Sequence, residues 1–285
     1  MAAFTNYEGA ILKKLASLAA LAAMTAVVLA TSASANHSWG GYHWARTTNN
    51  EFTLKVGDNV SGLWEGMLNT AISDWSQSTV LNLQKVAGGT RPKPCKATSG
   101  QIEVCSASYG NTGWLGLAQI WITGGTHITQ GIVKNNDYYF GNSSYQYNNT
   151  AEMQHVICQE IGHTFGLDHQ DESGISLDTC MDYYHNTSAS DTKSTHPNAG
   201  DYDELRCIYD TAVAGRTLTS GPHTCTGTGH LDSSPTIGGT AGSLPDAVPS
   251  FSPASRVSES KYVDHLPNGD LLVTWVTWAD RSRGR

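Results

Sequence analysis

The stretch CQEIGHTFGLDHQD, Cys158–Asp171, carries a glutamate and two histidines at a spacing that metal-dependent hydrolases use. On a helix, Gln159 and His163 are four residues apart and project from one face, with Cβ atoms about 6 Å apart. Side chains so placed can hold one ion. Glu160 is rotated about 100° around the same helix, where its carboxylate reaches the attacking water rather than the ion. Gly166 is a natural helix stop, and the reversal there lets His169 swing back as a third ligand. The series E-x-x-H-x-x-G-x-x-H is the later part of a long zinc motif whose first residue is normally His; here that residue is Gln159. Three protein ligands leave a fourth position open, as in a catalytic zinc site. Zinc brings the pKa of its water to roughly 7, and Glu160 would take the proton as that water attacks a peptide carbonyl. The amide oxygen of Gln159 is neutral and harder than an imidazole nitrogen. Even an outer partner of a metal ligand is typically worth about 10–100-fold in affinity or activity, so a weakened ligand is expected to cost no less.

The neighbouring sequence gives this helix a place in a fold. It is expected to begin at Thr150 as N-cap, with Glu152 favouring the first turn through the helix dipole. Upstream, Trp39–Ala45 reads as a first strand. Leu63, Trp64, Met67, Leu68, Ala71, Ile72 and Trp75 form one apolar helical stripe behind Ser61 as cap. Strands are expected over Thr79–Val86, Gln101–Ser106, Trp114–Thr123 and His127–Asn135, separated by glycine-rich turns. Residues 172–200 read as irregular and Gly200–Asp210 as a last helix. Residues 215–285 shift to a Ser/Thr/Gly/Pro-rich linker followed by a β-hairpin around Pro267, Asn268 and Gly269.

Downstream, Met181 lies in TCMDYY, twelve residues after His169, with Tyr183 two residues further on. With these residues the chain resembles the metzincin superfamily of zinc endopeptidases, whose members have a methionine turn beneath the metal. Met-x-Tyr is similar to the astacin and serralysin branches, while NTGWLGLAQIWIT and HPNAGDYDELRCIYD resemble matrixin segments. The resemblance implies an α+β, zincin-like catalytic domain over residues 36–214: a twisted mixed sheet, an active-site helix, a Met-turn and a C-terminal helix. It implies Zn2+ on Gln159, His163 and His169, Glu160 as general base and acid, and Tyr183 assisting at the transition state. It also implies that a protein or peptide substrate lies as an extended strand antiparallel to Trp114–Thr123, which would be the edge of the sheet.

Lys13 and Lys14, the apolar run Leu15–Ala30 and Ala33-Ser34-Ala35 read as a secretory signal peptide over residues 1–35. The run of about 16 residues is short of the roughly 20 that span a bilayer, so the expectation is a secreted monomer with no membrane contact after cleavage. No stretch before the first strand is expected to serve as an inhibitory propeptide. Setting aside Lys13, Lys14 and Glu8 leaves 15 of the 17 basic and 24 of the 25 acidic residues, a charge near −9 that argues against nucleic acid as partner. Six cysteines in an exported chain read as disulfides. They allow 15 pairings; the simplest is sequential, Cys95 with Cys105, Cys158 with Cys180 and Cys207 with Cys225. No thiol then remains as a nucleophile.

Competing readings attach to several residues. His155 is too far from His163 to share one ion and is expected in solvent or behind the site. Asp168, Asp171, Glu172, Asp178 and Asp182 either orient the histidines or are loop carboxylates. A second functional class is a secreted binding protein on the same scaffold, which would have no need of Glu160.

Overall fold

The runs Gln101–Ala107, Trp114–Thr123 and His127–Asn136 are rich in Ile, Val, Leu and Trp, as strands covered on both faces are. In the computed structural model they are the centre of an eight-stranded mixed sheet. The structure describes residues 37–38, 40–49, 51–213, 216–218, 223–225 and 260–279; the expected leader over 1–35 lies outside them. In chain order the strands are β1 (His43–Trp44), β2 (Phe52–Asn59), β3 (Leu81–Ala87), β4 (Gln101–Ala107), β5 (Trp114–Thr123), β6 (His127–Asn136), β7 (Thr217–Leu218), β8 (His223–Thr224), β9 (Lys261–His265) and β10 (Leu271–Trp278). The helices are α1 (Trp64–Trp75), α2 (Asp137–Phe140), α3 (Thr150–His163) and α4 (Ala199–Tyr209).

The sheet runs β3-β2-β4-β6-β5-β10-β9, with β1 alongside β6. β3, β2, β4 and β6 are parallel neighbours; β5, β10 and β9 add antiparallel pairings. The fold is therefore α+β with a mixed sheet and few helices. α3 lies on β5 and β6, and α1 packs against α3 and β3. α1 buries Trp64, Leu68, Ala71 and Trp75, one stripe at helical spacing. Trp75 is the keystone of that contact: its Nε1 donates to Cys158 O at 3.1 Å and its ring meets Phe165 and Tyr202 edge-on.

Four expectations need correction. The eight-residue strand β2 was not foreseen, and of the described residues within Trp39–Ala45 only His43–Trp44 is strand. Ser61 does not cap α1. Gly62, at φ +64°, turns the chain first, the N-cap is Leu63 without a side-chain bond, and Ser61 N donates to Ser106 Oγ. Asn149, not Thr150, caps α3, its Oδ1 accepting Glu152 N–H at 3.0 Å. β5 is not an edge strand, because β10 is paired along it.

The three disulfides are the sequential ones, Cys95–Cys105, Cys158–Cys180 and Cys207–Cys225. Such bonds suit an oxidising compartment. Among the described residues no helix is long and apolar enough to cross a membrane.

Candidate active site

α3 is unusual in that every residue from Ala151 to His163 is buried, although six of them are polar or charged. Burial of such groups is costly unless each finds a partner, so their partners define the site. Glu152 sits against His185 Nδ1 at 2.6 Å and Asn186 N at 2.5 Å. Burial alone would raise this carboxyl, but His185 and His155 outweigh it and hold Glu152 at about 2. His155 is fully buried rather than solvated, and its Nε2 lies 3.0 Å from Asp182 O. Gln159 Nε2 donates to that same carbonyl at 2.7 Å. One peptide oxygen of the Met-turn thus receives two successive turns of the helix.

Glu152 carries the first stability prediction. Glu152→Gln breaks a buried ion pair, which costs about 3 kcal/mol, or roughly 6–12 °C in Tm for a chain this size. A carboxyl held below its unfolded value stabilises fully above about pH 4.5 and loses that contribution as pH falls toward 2. Thermal unfolding from pH 7 to pH 2 should therefore show wild type and variant converging in acid.

Past His163 the helix stops, and Gly166 adopts φ +97°. A Cβ there would stand 2.1 Å from Tyr42 O, so the position needs glycine for space as well as conformation. The returning chain is clamped: Leu167 bridges Ser38, and Asp168 N donates to His37 O. Gln170 N donates to Met181 O and Tyr183 N to Asp171 O, each at 2.7 Å, which fastens the Met-turn to the His169 segment. Met181 is buried directly under the helix; a Cβ on Gly162 would meet its Sδ at 2.5 Å. The Cys158–Cys180 bond secures the same turn to α3.

These supports bring the two histidines together, Nε2 to Nε2 at 3.1 Å. His163 Nδ1 is 3.0 Å from Leu167 O, and His169 Nδ1 is 2.8 Å from Glu172 Oε1. A carbonyl can only accept, and hydrogen bonding to His169 lowers the Glu172 carboxyl, which keeps it an acceptor too. Both Nδ1 atoms therefore carry hydrogen, and in neutral rings both Nε2 lone pairs face each other. Burial, then His169, drives His163 well below its usual range, so it does not take an extra proton. With both rings neutral, the two lone pairs converge on one point, the arrangement of two nitrogen ligands of a single cation. Nitrogens each about 2.05 Å from one tetrahedral zinc lie about 3.3 Å apart, close to what is seen.

Gln159 and Glu160 meet Thr277 of β10, whose Oγ1 is 2.6 Å from Gln159 Oε1 and 2.7 Å from Glu160 Oε1. A single hydroxyl proton cannot serve two acceptors. Burial pushes the Glu160 carboxyl up to about 8 against the pull of its Thr277 contacts, so at neutral pH it is protonated. The consistent relay runs from Glu160 O–H to Thr277, from Thr277 O–H to Gln159 Oε1, and from the Gln159 amide to Asp182 O. Glu160 Oε2 has no hydrogen-bond partner among the described residues. The oxygen expected to face a metal is thus turned toward Thr277, with one lone pair left. Among the described residues no three His, Cys, Asp or Glu side chains form a metal-ligand cluster.

Tyr183 is half-buried beside His169, with ring centroids 5.2 Å apart, and its oxygen accepts the N–H of Trp278 at 2.8 Å. Of the flanking acids, Glu172 orients His169, and Asp168 pairs with Lys261 and accepts from Trp275 Nε1 at 3.1 Å. Asp182 is held by Leu177 N and Ser194, and burial raises its carboxyl to about 6. Trp275 stacks on His163, centroids 5.0 Å apart and planes within 8°. Sequence reasoning missed Trp275 and Thr277 at the site. Their alternation in LLVTWVTW showed a strand, but no local signal says where a strand 110 residues away docks. A scan against protein-family models finds no match for the chain, and a search of curated proteins finds none.

Proposed function

We propose that the chain is an exported zinc-dependent endopeptidase on a zincin-like, metzincin-type scaffold. The observation that carries this reading is the facing Nε2 pair of His163 and His169, fixed by Leu167 and Glu172, with Glu160 one helical turn before His163. His163 and His169 would hold the ion, with Gln159 as third ligand once its oxygen turns from Thr277. Zinc, when bound, supplies a Lewis acid that polarises the peptide carbonyl and brings water to an attacking state near neutral pH. Burial favours the protonated form of Glu160 in the metal-free chain; ionised beside a bound cation, it would remove the proton from the attacking water and pass it to the leaving amine. Tyr183, whose oxygen accepts from Trp278 N in this structure, has its own hydroxyl proton to donate to a developing oxyanion. Met181 and Gly162 keep the helix seated while these groups work.

A second reading, a secreted binding protein of this scaffold whose cleft stays filled, is favoured by one observation, the pairing of β10 along β5. The deciding assay is hydrolysis of a peptide library by the mature chain, both intact and cut at an engineered protease site within residues 226–259. Cleavage that a chelator stops and zinc restores is the expected result. No cleavage from either form, with zinc bound, would leave only the binding protein.

A further inference from the structure

We propose that the C-terminal hairpin is the resident occupant of the peptide-binding strand position, so that an extended substrate reaches Glu160 only when β10 leaves β5. The inference rests on the peptidase reading, in which a substrate strand lies antiparallel to β5. β10 already lies there, antiparallel, in register from Leu271 opposite Ile122 to Thr277 opposite Gly116, with a register shift before Trp278 opposite Trp114.

What the hairpin touches separates an occupant from a strand that merely completes a sheet. Trp275 covers the ring of His163, Thr277 engages both Gln159 and Glu160, and Trp278 N donates to Tyr183. On the neighbouring segment Ser260 Oγ donates to Glu172 at 2.8 Å, and Lys261 pairs with Asp168. Sheet pairing requires none of these side-chain contacts. Together they reach Gln159, Glu160, His163 and Tyr183 directly, and His169 through Glu172. The strand presents its chemistry to the reaction centre as a bound peptide would.

The contacts also describe the peptide that could replace it. Trp275 and Val273 are fully buried, so an emptied cleft exposes apolar surface and the stacked face of His163. A β-prone peptide with an aromatic residue over His163 would restore what the hairpin loses. Residues 226–259, rich in Ser, Thr, Gly and Pro, tether the hairpin. A covalent link raises the effective concentration of what it carries, and cutting it makes occupancy a competition between separate molecules.

The experiment uses full-length mature Glu160→Gln, which does not digest its ligands, with a protease site engineered within 226–259. The probe is a fluorescein-labelled synthetic peptide of residues 260–279, followed by anisotropy. The cut chain is expected to exchange its hairpin for the probe at least 100-fold more readily than the uncut chain. Lys261→Glu, which sets like charge against Asp168, is expected to speed exchange from the cut chain about tenfold. With Glu160 restored, dilution of the cut chain is expected to raise peptide hydrolysis at least tenfold over the uncut chain. Probe binding to both forms alike, or to neither, would overturn the proposal and make the hairpin a fixed wall. Exchange without hydrolysis would support the occupancy while removing the peptidase reading. Equal hydrolysis from cut and uncut chains would overturn the occupancy and keep the peptidase.

Discussion

Glu160→Gln is expected to lower kcat/KM for peptide hydrolysis by about 10²–10⁴-fold, the usual worth of a positioned general acid–base group. Zinc affinity should change little, because Glu160 lies beside the ligand set and not in it. The same variant has a stability signature that does not depend on turnover. A buried carboxyl raised to about 8 keeps a proton that the unfolded chain has already lost above about pH 4.5. Unfolding then releases a proton, so the metal-free wild type should lose stability as pH rises from about 4.5 to 8. Glutamine has no proton to lose and should flatten that slope. Activity lost with the slope unchanged would mean that Glu160 is not the buried, proton-holding group described.

Trp75→Ala should produce the largest loss of stability in the core, about 3–5 kcal/mol, or roughly 6–20 °C in Tm. Trp75 is fully buried, and its indole fills the space that a Cβ on Gly162 would meet at 2.8 Å. Its removal takes away one anchor of the contact between α1 and α3 and the ring that neighbours Gly162, and leaves Cys158 O without its donor. Trp75→Phe keeps most of the apolar area and loses that one hydrogen bond, so it should cost about 1–3 kcal/mol. Denaturant unfolding of the two variants separates the packing contribution from the polar one.

How much of this was legible in the sequence depends on the range of the contact. The strands from Leu81 to Asn136, α4 and the C-terminal hairpin follow from periodicity and turn residues, because those signals are local. The caps of α1 and α3 were misplaced by two residues and by one. At Gly62 a left-handed turn overrode a plausible serine cap, and at Asn149 a stronger cap stood one residue earlier. β2 was overlooked although FTLKVGDN alternates; only its docking between β3 and β4 makes the pattern decisive.

At the site, the spacing of His163, Gly166 and His169 was readable because one helix and one turn set it. Of their outer partners, Glu172 was among five acids offered but not singled out, and the others were not readable. Leu167 O and Glu172 follow from how the turn closes, and Thr277 and Trp275 arrive from the far end of the chain. The reading of β5 as an edge strand failed for the same reason, since β10 covers it from more than 140 residues downstream. His155 was judged from its distance to His163, whereas its burial comes from Glu152 and the Met-turn carbonyl of Asp182.

The central claim is that the opposed nitrogens of His163 and His169, with Gln159, hold one zinc ion. Its most direct test is calorimetric titration of the metal-free mature chain with zinc, beside His163→Ala and Gln159→His. The account predicts one equivalent bound by wild type, affinity lowered by at least about 100-fold in His163→Ala, and tighter binding in Gln159→His. Wild-type binding that is absent, or that His163→Ala leaves unchanged, would contradict it.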